Sequence, residues 1–388
     1  MSEEMMRRVT TVASGFVLLA LTTTGCGLAD GSEPGAPADS VEQVQSAITG
    51  GWTALTPING WQAAGGSYQA PAVGKVNGIV VFRGAIKATN PTSNIAFNVP
   101  VAFQPSDVNG FVGGTAVMTK VVLSGGKGGR LTHDYLLGPG TMTISQDGYS
   151  GGLGPEAKAL TSLDGASFDL LVSTPLATTD WHGNYGFRMT HDEDPIAWAR
   201  KTSDGFIRFQ GLLVPNNPPL TNFMFTIPAD LRPGNTVWVY ANIGFGNSGW
   251  SQVTIYPTGE VWVDGNDFYN WTAGVSLEGV SFSKTLTGNQ ALPMVNGWTS
   301  YSARAARVGT YGGVVRFQGA ISGGTSTTIG TLPVGMRPPK TVLLPTVVGG
   351  PTTGTLTITS AGVMTITNPG GLSNATLFTS LDGVSFGI

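Results

Sequence analysis

Apolar and polar residues alternate along short stretches of the chain, and glycine-containing turns separate these stretches. Ile207 and Phe209 share one face of such a stretch, whereas Arg208 lies on the other face, as the period of two of a β-strand requires. Residues 315–318 repeat this pattern around Arg316. The pattern predicts strands whose Ile/Val and Phe face lies in a core and whose arginine lies on an outer or inter-domain face.

Three parts of the chain carry the same landmarks in the same order, which indicates an internal repeat. An early strand reads NGIVVFRGAI from Asn77, DGFIRFQGLL from Asp204 and GGVVRFQGAI from Gly312. The ending reads SLDGASF from Ser162, SLEGVSF from Ser276 and SLDGVSF from Ser380. The sequence therefore predicts three units, at 51–170, 178–284 and 289–388.

Two further landmarks lie between the early strand and the ending. Paired prolines five residues apart occur in VPVAFQP from Val99, IPADLRP from Ile227 and LPVGMRP from Leu332, where they punctuate the chain between strands. TMTISQDG from Thr141, QVTIYPTG from Gln252 and TLTITSAG from Thr355 each predict the first strand of a hairpin. The fold class predicted is all-β, with three tandem antiparallel jelly-roll or sandwich domains.

The repeated ending contains one acidic residue before a glycine in each unit: Asp164, Glu278 and Asp382. These carboxylates invite a functional interpretation, but an acidic residue before glycine is ordinary turn chemistry. We therefore expect the ending to be the last strand of a unit. Its Asp-Gly or Glu-Gly pair gives a kink or bulge before the final Ser-Phe enters the core.

Composition agrees with this fold class and excludes some partners. Charged residues make up 11% of the 388 residues, against about a quarter in typical soluble domains, and 57 residues are glycine. The formal net charge is −3 and no cluster of lysine and arginine occurs. Nucleic acid is therefore not expected as a partner, because its phosphates need a basic surface.

The N-terminus has the features of an export signal. Arg7 and Arg8 precede an apolar run over 12–25, which is too short and wrongly flanked for a membrane span. The single cysteine, Cys26, follows at once, so the segment resembles a bacterial lipoprotein signal. That resemblance implies a signal peptide at 1–25 and lipidation of Cys26, whereas an ordinary secretory signal is the alternative. Either way, the protein is expected to be exported, lipid-anchored at the cell envelope or secreted.

Residues 26–50 are rich in Pro, Gly and Ala and contain no basic residue. With few large apolar side chains, such a segment cannot offset the entropy of ordering, which predicts a flexible tether.

The units resemble the C-terminal head domains of phage tail fibres and receptor-binding proteins, a jelly roll similar in shape to the C1q and TNF heads. The residues that carry the resemblance are GGVVRFQGAISGG from Gly312, TLPVGMRP from Thr331, LTITSAGVMTI from Leu356 and LDGVSF from Leu381. Such heads form homotrimers that bind glycans or cell-surface receptors. Three copies in one chain raise the hypothesis that the units pack as a covalently joined pseudo-trimer, so that the protein is a monomer.

Catalytic motifs are missing from the sequence. His133, His182 and His191 lie outside any catalytic frame, and no nucleophile elbow, P-loop or zinc spacing occurs. The acids of HDEDP at 191–195 are consecutive, which is typical of a solvated loop, and they cannot flank a sugar as a glycosidase requires. We expect no enzyme activity, no cofactor and no metal, with a glycan-cleaving enzyme as a minor alternative.

The aromatic residues point to a ligand site in the second unit, which holds six of the nine tryptophans. Trp238 and Trp262 alternate with valine, which favours packing. Two loop-like stretches instead set aromatic side chains beside asparagine, a combination that can stack on a sugar and bind its hydroxyls. The candidate ligand-binding residues are Asn247, Trp250, Phe268, Tyr269, Asn270 and Trp271. The sequence therefore predicts a non-catalytic adhesin or glycan-binding protein, with a structural surface or assembly protein as the alternative.

Overall fold

The computed structural model describes residues 48, 51–105, 117–134, 137–149, 152–170, 174–176, 181–183, 197–203, 205–215, 222–243, 249–264, 274–284, 289–349 and 352–388. These residues form an all-β protein, as predicted, with antiparallel strands in sandwich or jelly-roll-like domains. The strands fall into three sets that we call repeat 1 (53–169), repeat 2 (174–283) and repeat 3 (290–387). The α-helices described are α1 (Pro155–Ala159) and α2 (Leu372–Leu377), and the 3-10 helices are Val101–Phe103, Ser124–Gly126, Ala229–Leu231 and Val334–Met336.

Repeat 1 consists of a four-stranded and a seven-stranded sheet. Its strands are β1 (Thr53–Ala54), β2 (Trp61–Ala63), β3 (Ala72–Val76), β4 (Ile79–Arg83), β5 (Ala85–Ala88), β6 (Ile95–Asn98), β7 (Val117–Leu123), β8 (Gly128–His133), β9 (Thr141–Gln146), β10 (Thr161–Ser162) and β11 (Ser167–Asp169). The sheet orders are β1-β3-β4-β11 and β2-β5-β10-β7-β8-β9-β6.

Repeat 2 has the same strand neighbours, but one long strand joins its two sheets. Its strands are β12 (Thr174–Pro175), β13 (Trp181–Gly183), β14 (Ala197–Lys201), β15 (Phe206–Pro215), β16 (Phe223–Thr226), β17 (Val237–Ile243), β18 (Trp250–Ile255), β19 (Glu260–Asp264), β20 (Val275–Ser276) and β21 (Ser281–Ser283). The first half of β15 pairs with β14 and β21, and its second half pairs with β13 and β20. The strand β12 falls in the stretch expected to link the first two units and pairs with β14.

Repeat 3 returns to the two separate sheets of repeat 1. Its strands are β22 (Gln290–Ala291), β23 (Thr299–Ser300), β24 (Arg307–Tyr311), β25 (Val314–Gln318), β26 (Ala320–Ser322), β27 (Thr328–Thr331), β28 (Val342–Val348), β29 (Thr352–Ile358), β30 (Val363–Thr367), β31 (Thr379–Ser380) and β32 (Ser385–Gly387). The orders β22-β24-β25-β32 and β23-β26-β31-β28-β29-β30-β27 match those of repeat 1 strand for strand.

One predicted equivalence between the units is wrong. The stretch from Thr141 forms β9, the second strand of its hairpin, whereas those from Gln252 and Thr355 lie in β18 and β29, which are first strands. The counterpart of β18 and β29 in repeat 1 is β8, whose GGRLTH lacks their apolar alternation. The longer loop after His133 displaced the match by one strand.

A separate hydrophobic core fills each repeat, and phenylalanines from the repeated motifs lie at its centre. Ile207 and Phe209 are buried as predicted, and the ring of Phe209 lies 6.2 Å from that of Phe282 in the ending of the same repeat. Phe82 and Phe168 form the matching pair in repeat 1, 5.9 Å apart. The final phenylalanine of each ending therefore lies in the core, as the sequence predicted. The serine before it does not: Ser167, for example, faces Arg208 of repeat 2.

The paired prolines mark a 3-10 turn held by one long polar side chain. The first proline precedes the turn, and the residue before the second proline reaches back to a main-chain carbonyl. Gln104 Nε2 donates to Val99 O at 3.0 Å, Arg232 Nε to Ile227 O at 3.2 Å and Arg337 Nε to Leu332 O at 2.8 Å. Glutamine and arginine thus do the same structural work in the three repeats.

The three repeats contact one another in a closed ring through the first serine of each ending. The Oγ atoms of Ser162, Ser276 and Ser380 donate to main-chain carbonyls of another repeat. The bonds are Ser162 to Leu343 O at 3.2 Å, Ser276 to Met118 O at 3.1 Å and Ser380 to Trp238 O at 2.7 Å. Each acceptor is the second residue of its strand: β28, β7 or β17. Repeat 1 thus donates to repeat 3, repeat 3 to repeat 2 and repeat 2 to repeat 1, which is a pseudo-three-fold arrangement.

One end of this arrangement is defined by the turns between paired strands. Asn77 Nδ2 donates to Ser203 Oγ at 3.1 Å and to Tyr311 Oη at 3.2 Å, which joins one turn from each repeat. Ile48, the first residue described, packs there on Val76 and Val314. We call this the N-terminal end of the ring.

Candidate functional site

The acidic residue of each repeated ending lies inside the fold and holds a main-chain bulge. The carboxylates accept from the amide of a positive-φ glycine in the neighbouring strand: Gly84 N to Asp164 Oδ1 at 2.8 Å, Gly211 N to Glu278 Oε1 at 3.2 Å and Gly319 N to Asp382 Oδ1 at 2.9 Å. Burial raises the pKa of Asp164 to about 7 and that of Glu278 to about 8. The acid and its glycine lie in a turn, as the sequence favoured. The ending is not a single last strand with a kink, however, because this turn joins two short strands, such as β10 and β11 in repeat 1, which belong to different sheets.

The glycine after each acid lies where two repeats meet. Gly165, Gly279 and Gly383 have φ values of 80°, 75° and 73°. A Cβ on any of them would lie 2.8 to 3.2 Å from the carbonyl of a serine in another repeat, namely Ser385, Ser167 or Ser281 respectively. The motif therefore recurs because one pair of residues serves two purposes: the acid holds the bulge, and the glycine permits close contact between repeats.

The arginines of the early strands lie between repeats, as predicted. Arg208 is buried and its Nη2 donates to Ser167 Oγ of repeat 1 at 3.0 Å. The guanidinium of Arg316 lies 4.3 Å from the ring centroid of Phe206 in repeat 2, and burial lowers its pKa to about 9. Repeat 1 has no arginine at this position, where Val81 stands.

Among the candidate ligand-binding residues, Trp250 is the one that the structure describes. It is half-buried at the start of β18, and its ring centroid lies 5.4 Å from that of Tyr240. A Cβ placed on Gly128 of repeat 1 would lie 2.8 Å from Trp250 Cε2, so the indole packs on the backbone of another repeat. The sequence assigned Trp250 to a loop and did not predict this contact.

The remaining candidates, Asn247, Phe268, Tyr269, Asn270 and Trp271, lie outside the described residues, as does Cys26. The strands that flank them can be compared, because β20 runs antiparallel to both β15 and β17. Since β15 starts at the N-terminal end of the ring, β17 and β19 run away from that end. The described residues that flank 244–248 and 265–273 therefore lie at one sheet edge, remote from Ile48, which we call the distal edge.

Two ionisable groups at the seam between repeats 1 and 2 were missed by sequence reasoning. Burial lowers the pKa of Lys120 to about 7, and its Nζ lies 5.6 Å from the ring centroid of Tyr240 in repeat 2. Burial also raises the pKa of Asp147 to about 7, although Arg130 lies 3.4 Å away. A lysine inside the apolar strand VMTKVVL was the available signal.

A second aromatic group lies at the seam between repeats 2 and 3. The ring centroid of Trp238 lies 4.9 Å from that of Phe378 and 6.4 Å from that of Tyr301. Trp262 instead packs edge to face on Phe223 of the adjacent strand at 5.5 Å. Both tryptophans therefore serve packing, although Trp238 packs across repeats rather than within its own core.

Beside Trp238, the same seam carries a groove of about 230 Å³. Its floor includes Arg304, which is 7% exposed and ion-paired with Asp382. Burial lowers the pKa of Arg304 to about 10, so the guanidinium remains charged at neutral pH. Lys284 and Arg307 also line the groove. Spacing along the chain gave no sign of it, because its two sides come from different repeats.

In the described part of the chain, no group of three or more His, Cys, Asp or Glu residues is placed to hold a metal ion, and no helix is long and apolar enough to cross a membrane. His133 is buried, its Nε2 accepts from Gly140 N at 3.2 Å, and burial lowers its pKa. The HDEDP stretch and His191 lie outside the described residues.

Comparison with known proteins gives no relative from which a function could be taken. No family model, no curated protein and no solved structure matches the chain.

Proposed function

We propose that this protein is a non-catalytic adhesin or glycan-binding protein, exported and held at the cell surface by a lipidated Cys26. The observation that carries the proposal is the polarity of the ring. Ile48 packs at the N-terminal end of the ring, whereas the residues that flank 244–248 and 265–273 lie at the distal edge. A tethered head of this kind presents its aromatic and asparagine-rich segments away from the surface that carries it.

The chemistry of the two distal segments supports a sugar as the ligand. They contain Asn247, Phe268, Tyr269, Asn270 and Trp271, which combine aromatic faces with amide groups. Aromatic rings stack on the apolar faces of sugars, and amides bind hydroxyl groups. Trp250 flanks the first segment, and its packing against Gly128 gives that segment a fixed base.

The proposal is tested with residues 48–388 on a glycan array, using wild type and the Tyr269→Ala/Trp271→Ala variant. We expect wild type to bind, and the double variant to lose about tenfold or more in affinity, since aromatic residues dominate binding sites. Tyr256→Ala is the matched control, because Tyr256 is exposed at the opposite end of β18. Binding that survives in the double variant would refute the site.

An assembly role is the alternative class. It predicts that wild type binds none of the arrayed glycans and that cells carrying the protein still assemble their surface layer when Tyr269 and Trp271 are replaced.

A further inference from the structure

The seam between repeats 2 and 3 is open where the seam between repeats 3 and 1 is closed. In the closed seam, Thr341 N donates to Ser67 O at 2.9 Å and Lys340 Nζ donates to Gly66 O at 3.0 Å. The segment RPPKTV at 337–342 corresponds to RPGNTV at 232–237. Within the described residues, no hydrogen bond joins 235–236 to the residue of repeat 3 that corresponds to Ser67. The groove lies between these two parts of the seam.

Sequence differences between the two seams explain the opening. Asn235 stands where the closed seam has Lys340, so the side chain that reaches across is replaced by a shorter one. Gly234 stands where Pro339 lies, and a Cβ on Gly234 would meet no atom within 4 Å. The space beside this strand connection is therefore unfilled.

The floor of the groove holds a buried cation with an unused donor. Arg304 corresponds to Gln69 of repeat 1. The residue after each, Ala305 or Ala70, places its carbonyl against an equivalent glycine, Gly319 or Gly84. Its guanidinium pairs with Asp382 and lies 4.8 Å from the ring centroid of Trp238. Within the part of the chain that the structure describes, Arg304 Nη1 has no hydrogen-bond partner. A buried donor without an acceptor costs about 1–3 kcal/mol, which a ligand oxygen would relieve.

The charges around the groove are unbalanced toward positive. Lys284 and Arg307 join Arg304, whereas Asp382 is the one carboxylate among the lining residues. Asp382 is already engaged by Gly319 N and by Arg304. Lys284 and Arg307 donate to oxygens at Asp230 and Asn289, and each retains further N–H groups. Three cations against one carboxylate leave an excess of two positive charges, in a chain whose net charge is −3.

We propose that this groove binds the carboxylate or sulfate group of an acidic sugar. An arginine fork is the side chain best suited to such planar or tetrahedral oxyanions. The volume of about 230 Å³ lies below that of sites for drug-sized ligands, which favours a single acidic monosaccharide unit rather than an oligosaccharide. The Trp238 ring lies against the Arg304 guanidinium but is not part of the groove lining. This site is separate from the distal edge, so it does not rest on the function proposed above.

Isothermal titration of residues 48–388 with glucuronate, sodium sulfate and glucose tests the proposal. We expect one glucuronate per chain, weaker binding as salt rises, and no binding of glucose. Arg307→Gln should weaken glucuronate binding by up to about fivefold, because exposed ion pairs contribute up to about 1 kcal/mol. Asn235→Asp should weaken it by about tenfold or more through like-charge repulsion in the groove.

Lys201→Gln is the matched control, because it removes one exposed positive charge on β14 outside the groove, and it should leave affinity unchanged. Sulfate binding with the same sensitivity to Asn235→Asp but no glucuronate binding would overturn the sugar and identify a small inorganic anion. No binding of either anion, or equal binding by wild type and Asn235→Asp, would overturn the site itself. None of these results depends on the distal segments, so failure of the glycan array leaves this test intact.

Discussion

Replacing Glu278 by glutamine tests whether this acid of the repeated ending is a neutral structural group. Glu278 Oε1 accepts from Gly211 N at 3.2 Å, and an amide oxygen in the Glu278→Gln variant can accept the same bond. The carboxyl group is buried, and this burial raises its pKa from 4.5 to about 8, with the nearby charge of Asp169 acting in the same direction. Arg208 opposes the shift without reversing it.

The raised pKa fixes both the sign and the size of the expected effect. Between pH 4.5 and about 8 the folded chain retains a proton that the unfolded chain has released, so the free energy of unfolding falls as pH rises through this window. The stability is fully present below pH 4.5. At about 1.36 kcal/mol per pH unit, the difference between the two pKa values corresponds to on the order of 5 kcal/mol. Glu278→Gln removes this dependence, since an amide does not titrate.

Denaturant unfolding of wild type and Glu278→Gln at pH 5, 7 and 9 measures the effect. We expect the variant to gain stability relative to wild type at each step up in pH. Glu260→Gln is the control, because Glu260 is exposed on β19 and loses the same charge. Parallel pH profiles for wild type and Glu278→Gln would refute the reasoning, since they would show that Glu278 is ionised in the fold and paired with Arg208.

Three further predictions concern the ring. Gly319→Ala should destabilise the fold by more than about 3 kcal/mol, because φ of Gly319 is 90° and a Cβ there would lie 2.2 Å from Ala305 O. Gly335→Ala is the control in thermal unfolding and should be nearly neutral, because a Cβ on Gly335 meets open space. Trp52→Ala should cost about 2–4 kcal/mol and raise hydrogen exchange along β32, since the Trp52 indole donates to Ile388 O at 3.2 Å and is stacked by Arg83; unchanged exchange there would contradict the contact. Light scattering of residues 48–388 should give a monomer, and a trimer would contradict an internally closed ring.

Most of the fold could be predicted from the sequence because it depends on local patterns that recur. The alternation around Arg208 assigned one face of its strand to a core and the other to an outer or inter-domain face. The core assignment is confirmed, and Arg208 lies on an inter-domain face. The acid-glycine pairs of the repeated endings could be interpreted as turn chemistry, and they lie in turns. The expected single strand was wrong, because each turn joins two short strands. The hairpin equivalence at Thr141 failed because β8 ends in His133, where β18 and β29 end in Ile255 and Ile358.

The candidate sites could be predicted only where they depend on one continuous segment. Aromatic residues and asparagine are adjacent in the sequence of 265–273, so this segment could be proposed as a site from the sequence alone. The packing of Trp250 on Gly128 joins positions in different repeats, and no pattern within either repeat encodes it. The groove at Arg304 is of the same kind, since its walls approach one another only when repeats 2 and 3 are in contact.

Joining three repeats in one chain removes the constraint that a homotrimer places on its seams. In a homotrimer any change at one seam occurs at all three, so a substitution that opens a groove would open three and weaken the whole ring. In this chain the seam at Lys340 stays closed by two hydrogen bonds while the seam at Asn235 is open. At this position the seam between repeats 2 and 3 has the buried cation Arg304, whereas the seam between repeats 3 and 1 has the uncharged Gln69. The repeated glycines and acids preserve the ring, and the residues between them are free to diverge toward one binding site per molecule.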